Sequence, residues 1–457
     1  MGLICLGFAL VLALNWPGQM SYDSVVQLAD GRDGHYDTWH PPVMAWLLGL
    51  FDRLLPGPGL YLAFTALLLF AAWFILIRIG RGRWLLLLLL GAIFATPQLV
   101  LYQGTVWKDV LFANAAVMGF ASLAAAAAAW RSAEARFFWL SLSALFLALA
   151  TLARQNGFLV PPIAAIALAL IASREQDRRA GLGYGIGFFL LSVALWGGGS
   201  FLLSLRSDGG EGARAQLTLA QTYDLTGAAA LDSKLRFPVL EKRAPQLAAA
   251  IREEGVALYS PHLVDTLEGS PTLTAAIGRA PKGVIFTAWQ NLVLGHPGLY
   301  LQERWPVFRW LLAPPDPLLC HPDVVGVDGP KDVMRALGLA PRIRAQERFL
   351  YSYVARFIGT PVLSHLTFLG LGVFLLALLV RRGAPSDLAV AGLIAAALAF
   401  TASFFAVSIA CDYRYLYFMD LAVMTGAVKW ASGENPSRPP SNPDPLCYKN
   451  ASAANNS

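Results

Sequence analysis

Charge is scarce in this chain. Of 457 residues, 14% are Asp, Glu, Lys or Arg and 56% are hydrophobic, whereas an ordinary soluble domain carries about 25% charged residues. With a mean hydropathy of +0.53, this composition excludes an ordinary soluble enzyme and predicts a polytopic membrane protein. Cysteine is scarce as well. The four cysteines, Cys5, Cys320, Cys411 and Cys447, stand far apart. They lack metal-site spacing and suggest no disulfide framework, leaving only a Cys320–Cys411 pair open. The net charge of +6 is not gathered into a basic stripe with interleaved aromatics, so no nucleic-acid partner is expected. There is no internal repeat, no Walker-type glycine loop and no GxSxG elbow.

What the chain does have is long apolar runs. A spanning helix needs about 20 mostly apolar residues. The candidates are 1–16, 59–78, 84–101, 110–130, 137–153, 157–172, 182–205, 358–380, 386–410 and 416–431. The expected fold class is therefore an all-α polytopic protein of about ten transmembrane helices. The first run is short, but it lacks the basic region and cleavage site of a signal peptide; a start upstream of Met1 is the alternative. Arg78, Arg81 and Arg83, then Arg131 and Arg136, then Arg174, Arg178 and Arg179, then Arg381 and Arg382 all fall on one face when the spans alternate. By the positive-inside rule that face is cytoplasmic; the expected location is the inner (plasma) membrane, as a multi-pass chain. The expected organisation is a transmembrane module over 1–205 with an external first loop at 17–58, a mostly helical external insert at 206–357 and C-terminal transmembrane helices at 358–431. A disordered cytoplasmic tail follows at 432–457. The segment "GVIFTAWQNLVLGHPGLYLQERWPVFRWLLAPP" is amphipathic. It reads as interfacial helices lying on the outer surface rather than as an independent domain.

On this topology the unusual polar clusters share the external face. Asp23 follows the first span by a few residues, where apolar walls are expected to raise its carboxyl toward a useful general base. Ser21 or Ser24 could cap a short helix there, and the plain alternative makes Asp23 itself the cap. "GHYDTWHPPVMAW" brings His40 to a stiff Pro41-Pro42 turn between interfacial tryptophans. His40 could donate to a phosphate or a carboxylate; a zinc site from His35, Asp37 and His40 lacks a familiar spacing. In "LYQGTVWKDV", Lys108 could contact an anionic head group, and Asp109 could pair with it or bind a metal. "TLARQNGFLVPP" puts Arg154 and Asn156 into an otherwise apolar stretch, where a charge needs a partner or a function. Arg154 is read as a phosphate ligand, against a structural pair with Asp23 or Asp109. Arg414 and Tyr415 in "IACDYRYLYFMD", Tyr223 and Asp224 in "AQTYDLTG", and Arg304 in "HPGLYLQERW" complete the candidates for substrate contact.

An acidic residue after the first span, an HPP in the same loop and "RYLYF" opening the last span together resemble the GT-C superfamily of membrane glycosyltransferases. "YDTWHPPVMAWLLG" is similar to its protein mannosyltransferase-like branch, and "WKD", "RQNG", "YDLTG" and "HPGLYLQERW" look like blocks of bacterial members grouped with it. The resemblance runs from residue 15 to about 420 through short, scattered motifs. It implies a polyprenyl-phosphate sugar donor and an envelope glycan, lipid or protein acceptor at the external or periplasmic face. It also implies that Asp23 and His40 are catalytic and that Lys108, Arg154 and Arg414 bind the donor phosphate. Asp109, Asn156, Tyr223, Asp224, Arg304 and Tyr415 would line the substrate site. Many members carry a paired Asp-Glu where this chain has Asp23-Ser24, which leaves a divalent metal cofactor and the base assignment open. A transporter or flippase of lipid-linked saccharides, which would want polar breaks deep in its spans, and an envelope polysaccharide polymerase or ligase are the alternatives. An O-acyltransferase would want a histidine deep in a span, and none is read there.

Overall fold

The computed structural model describes residues 1–80 and 84–433. Arg81 and Arg83 of the first arginine loop, Cys447 and the expected tail from 434 onward lie outside the described residues. The apolar runs fold as helices because a bilayer leaves no other way to satisfy backbone N–H and C=O groups. Among the described residues there is no strand, only isolated bridges between loops.

The chain opens with α1 (Gly2–Asn15), then the loop helices α2 (Tyr22–Asp33) and α3 (Val43–Leu54). Next come α4 (Gly59–Ile79), α5 (Trp84–Phe94), α6 (Pro97–Val100), α7 (Lys108–Ala128), α8 (Ala133–Ala153), α9 (Val160–Glu175) and α10 (Arg178–Ser204). The insert begins with α11 (Glu211–Leu231) and the short helices α12 (Pro238–Arg243), α13 (Pro245–Ala250), α14 (Val256–Leu258), α15 (Asp265–Glu268) and α16 (Pro271–Arg279). It continues through α17 (Val284–Gly295), α18 (Pro297–Leu312), α19 (Lys331–Ala336) and α20 (Ala345–Val354). The closing helices are α21 (His365–Arg382), α22 (Pro385–Val407) and α23 (Tyr417–Ser432).

Seven of these helices are long and apolar enough to cross a membrane: α4, α7, α8, α9 with the 3-10 turn before it, α10, α21 and α22. The expected span 84–101 is not one helix. It breaks into α5 and a second piece bent by 68°, because Pro97 has no N–H to continue the ladder and disfavours helical backbone at Thr96. The bend carries Gln98, Tyr102 and Gln103 into the protein interior, where all three are buried. The expected span 358–380 starts later, at His365, since Gly359 at φ +77° and Pro361 interrupt its beginning. With the bent pair counted as one span the described residues hold eight of the ten expected; α1 and α23, of 14 and 16 residues, are too short to be counted with them.

Helix α7 is the axis of the bundle and is buried along its whole length. Its sequence, KDVLFANAAVMGFASLAAAAA, is largely alanine, and small residues let neighbouring backbones approach closely without lipid between them. It packs on α4, α8, α22 and α23. Buried polar contacts tie the bundle further: Trp73 Nε1 donates to Thr425 Oγ1 at 2.9 Å, and Gln103 Nε2 donates to Tyr417 Oη at 2.6 Å and to Asn114 Oδ1 at 3.0 Å.

Alternation gathers one set of helix ends where the first loop lies. Asn15 donates to the Val100 carbonyl there, and Gln19 and Gly104 share a backbone bond. The opposite end carries the arginines: Arg174 donates to the Gly383 carbonyl, and Arg382 pairs with Asp387. In the first loop α2 and α3 cross at Gly31 and Gly49, where a Cβ on Gly49 would stand 2.1 Å from the Gly31 carbonyl oxygen. Arg32 closes the hairpin with two bonds to Asp52, at 2.8 and 2.9 Å.

The insert is more than a row of separate helices. It packs an apolar core of its own from Leu225, Leu240, Leu247, Leu273, Val284, Leu292 and Val307. Its amphipathic part exposes Leu294, Leu301 and Trp305.

Candidate active site

Helix α2 delivers Asp23. Capping is done by its neighbours: the Ser21 backbone N–H donates to Ser24 Oγ at 3.3 Å, so Asp23 is free to point elsewhere. Trp107 Nε1 donates to Ser21 Oγ at 2.9 Å and Ser24 Oγ to the Val106 carbonyl at 2.6 Å, fixing the helix start against the segment before α7. Asp23 then reaches two partners. Its Oδ2 accepts from Arg414 Nη1 at 2.7 Å, and its Oδ1 lies 3.6 Å from His40 Nε2.

His40 is held by a loop tied to the start of the insert. Thr38 Oγ1 donates to Asp208 Oδ1 at 2.6 Å, Tyr36 N donates to the Arg206 carbonyl at 2.8 Å, and Trp39 N donates to Asp37 Oδ1 at 2.7 Å. On its other side the imidazole Nδ1 meets Lys108 Nζ at 2.7 Å. When Lys108 is charged its ammonium can only donate; Nδ1 then accepts and the ring proton sits on Nε2, facing Asp23. Lys108 opens α7, and among the described residues no carboxylate lies within ion-pair distance of it.

Arg154 ends α8, where its extended backbone stops the helix. It pairs with Asp109, one residue beyond Lys108. The sequence pattern favours a phosphate ligand over such a pair. The pair is present, because both side chains are almost wholly buried and an unpaired charge there is costly. It is incomplete, since Arg154 Nε and Asp109 Oδ2 have no partner among the described residues. The Tyr415 ring stacks on Phe404 at 5.5 Å and has Arg154 5.3 Å and Arg414 5.7 Å from its centroid.

Arg414 sits in the 3-10 turn Tyr413–Leu416, over the Trp107 ring at 5.2 Å. Asp412 Oδ2 accepts from it as well, at 2.9 Å. The turn is anchored from both directions. A Cys320–Cys411 disulfide joins it to the insert, closing the pair that the spacing left open. Tyr413 Oη donates to Asp420 Oδ2 at 2.6 Å, and Asp420 Oδ1 meets His365 Nδ1 at 3.0 Å. His365 is the first residue of α21, not one deep in a span.

Asp23, His40, Lys108, Asp109, Arg154, Arg414 and Tyr415 thus come together from five separate segments. Four other candidates do not join them. Tyr223 is buried in the insert core and donates to the Ser260 carbonyl at 2.7 Å. Asp224 accepts from Arg304 at 2.9 Å and from Trp289 at 2.7 Å, and Arg304 also donates to the Phe405 carbonyl at 2.8 Å and to the Ser408 carbonyl. These groups staple the insert to the end of α22; with their polar atoms engaged they are not open to a substrate. Asn156 donates to Ser403 Oγ at 2.9 Å and likewise positions the turn beside Arg154. Asp412 and Trp107, not singled out from sequence, are part of the cluster; their signal was adjacency to Arg414 and Lys108.

The electrostatics correct one expectation. Burial pushes the Asp23 carboxyl up, but its contact with His40 and the charges of Arg414 and Lys108 outweigh burial and hold it well below the usual carboxylate range. For His40, burial and the Lys108 charge push the imidazole down, with Asp23 offsetting only part. Burial opposes the charge on Arg414, yet Asp412 and Asp23 raise it further above its ordinary value. At neutral pH the cluster is an ionised Asp23 between a neutral imidazole and a guanidinium. Among the described residues no group of three His, Cys, Asp or Glu side chains is disposed to hold a metal ion.

Beside Arg154 opens a groove of about 260 Å³. Pro41 and Pro42 of the first loop form one wall, and Trp196, Ser200 and Leu203 of α10 form another.

No protein-family model and no curated protein matches the chain. Among solved structures it is similar to the archaeal oligosaccharyltransferase AglB from Archaeoglobus fulgidus in complex with an inhibitory peptide and a dolichol-phosphate. That match has 13% identity and a TM-score of 0.42, covering 94% of this chain and 49% of that one. The chain therefore spans about half the length of the archaeal protein. It is also similar to ArnT from Cupriavidus metallidurans bound to undecaprenyl phosphate, with 14% identity and a TM-score of 0.37 over 94% of this chain and 77% of that one.

Proposed function

We propose that the protein is a membrane glycosyltransferase that moves a sugar from a polyprenyl-phosphate donor to an envelope glycan, lipid or protein. The acceptor would be met on the external or periplasmic face of the inner membrane. One observation carries this reading: a carboxylate held between a neutral histidine and an arginine, with a second cation at Lys108, beside a partly apolar groove. In the reaction an acceptor hydroxyl oxygen attacks the anomeric carbon as the bond from that carbon to the phosphate oxygen breaks. The hydroxyl proton passes to Asp23, and the electron pair leaves with the phosphate.

Each group has a part in that step. Lys108 and Arg414 stabilise the charge growing on the leaving phosphate, the interaction that most favours a transition state in a water-poor site. His40 holds the side of Asp23 away from Arg414 and orients it. The groove beside Arg154 takes the first isoprene units. At rest the cations Arg154 and Arg414 are matched by Asp109, Asp23 and Asp412. A donor phosphate must therefore take Arg414 from Asp23. Once it does, the strongest nearby cation no longer holds the carboxylate down, and Asp23 becomes a better base when a donor is bound.

The test is transfer of labelled sugar from a polyprenyl-phosphate donor by the purified protein in nanodiscs. Wild type should transfer, and Asp23→Asn should fall by about 10²–10⁴-fold, the usual reach of a general base. Undiminished transfer by that variant would overturn the assignment.

A further inference from the structure

At the opposite, arginine-bearing end, α8, α9 and α10 enclose a second groove of about 450 Å³ that the reaction does not use. Its walls include Phe137 and Leu140 of α8 and Gly183, Tyr184, Gly187 and Leu191 of α10. The two glycines keep it open: a Cβ at either would meet nothing within 4 Å. From Tyr184 to Leu191 it runs about two helical turns, roughly 11 Å along α10. It opens sideways, for Phe137, Phe138, Leu182, Ile186 and Leu190 beside it are exposed. On a helix long and apolar enough to span, such a face meets acyl chains.

The groove ends in a cation. The Arg136 guanidinium carbon lies 5.1 Å from the Trp130 ring centroid, 5.4 Å from Phe137 and 5.5 Å from Tyr184. Tyr184 thus belongs both to this cage and to the groove wall. One Arg136 nitrogen donates to the Trp130 carbonyl at 2.6 Å. Its buried Nε, and Nε1 of the 6% exposed Trp130, have no acceptor among the described residues. Both of these atoms lie beneath the surface, but the rest of the guanidinium is partly exposed at the end of the apolar channel, where a cation calls for an anionic partner. Arg131, Arg178 and Arg179 stand exposed nearby. Three acids stand in the same turns, Glu134, Glu175 and Asp177, of which Asp177 caps α10, against Arg131, Arg136, Arg174, Arg178 and Arg179. The surplus is positive.

We propose that this groove is a binding site for an anionic glycerophospholipid of the leaflet at the arginine end. One acyl chain lies along Gly183 and Gly187, and the phosphate pairs with the Arg136 guanidinium. Basic pockets between spans on this side of a membrane are suited to anionic head groups, and the caged guanidinium is already ordered to receive one. The inference is independent of the reaction at the other end.

The experiment is native mass spectrometry of the full-length protein titrated with phosphatidylglycerol, phosphatidylcholine or undecaprenyl phosphate. Phosphatidylglycerol should bind about fivefold or more tightly than phosphatidylcholine. Arg136→Gln should abolish that preference. Gly187→Leu fills open space without removing a contact, and should lose the bound lipid while keeping its thermal midpoint. Equal retention of both phospholipids by wild type, or an unchanged preference in both variants, would overturn the proposal. So would selective retention of undecaprenyl phosphate alone.

Discussion

Replacing Asp23 by Asn should separate binding from chemistry in opposite directions. In the resting site the Asp23 carboxylate holds Arg414 at 2.7 Å, and the two side chains are 24% and 17% exposed. At about 4 Å between charge centres and an effective dielectric near 20, their attraction is on the order of 4 kcal/mol. Solvent reaches both groups, and exposed pairs measure only about 1 kcal/mol or less. Arg414 also keeps Asp412 at 2.9 Å when Asp23 goes. A net release of about 1 kcal/mol is the sensible figure, and Asn removes a repulsive charge from the phosphate's path as well. Polyprenyl phosphate should therefore bind Asp23→Asn about fivefold more tightly than wild type, while transfer drops by about 10²–10⁴-fold.

Calorimetric titration of polyprenyl phosphate into the nanodisc-embedded protein reads the first quantity, and a labelled-sugar assay the second. Weaker binding by Asp23→Asn would refute the ion-pair exchange. It would mean that the carboxylate reaches the phosphate through a divalent cation, and a chelator should then weaken wild-type binding to the same extent.

Arg154→Met should cost about 3–5 kcal/mol by stranding the buried Asp109, seen as a lower thermal midpoint. The double variant Arg154→Met/Asp109→Leu should recover most of it, and an equal loss in the double variant would refute the pairing account. His40 is pushed below its ordinary pKa and acts neutral, so kcat/KM should hold its plateau down to about pH 6.5 and fall only below it; an acid limb centred above that value would refute the neutral imidazole. Glu303 is buried beside Asp224 and Arg304, and burial and Asp224 raise its carboxyl against the pull of Arg304. Its stabilising share is then complete below about pH 4.5, its ordinary value, and is lost as pH climbs toward its raised native value. Thermal midpoints of wild type should fall relative to Glu303→Gln over that climb, and parallel curves would refute it.

The spans were legible because a lipid environment demands a signal that needs no partner: twenty apolar residues in a row. The break at Pro97 was legible in principle, since the proline stands in the run, but apolarity alone reads straight through it. Arg154 is conspicuous in the sequence as a charge in an apolar stretch. Its partner was a matter of tertiary distance. Asp23 and Asp109 were equally available, and only the packing of α7 on α8 decides between them. The pairing of Asp224 with Arg304 was hidden for the same reason in reverse. Polar residues in a turn-rich insert read as exposed, whereas the insert folds a core of its own and spends them on holding itself to α22.

The pKa of Asp23 is the most instructive miss. Sequence placed the carboxylate among apolar walls, which is true and raises its pKa. It could not place Arg414, 391 positions away, on the same oxygen. Burial strengthens the attraction of a nearby cation as much as it penalises the bare charge, so the sign depends on the partner's presence and not on the walls. The same reasoning makes the resting site self-blocked. A carboxylate already neutralised by an arginine is a poor base, and an arginine already neutralised by two carboxylates is a poor phosphate ligand. Both faults are relieved by one event, arrival of an anion that takes the arginine. A proton-accepting Asp23 should therefore appear only in the donor complex: the carboxyl pKa read by infrared difference spectroscopy should rise when polyprenyl phosphate binds. A pKa unchanged by the lipid would leave the site without a way to switch itself on.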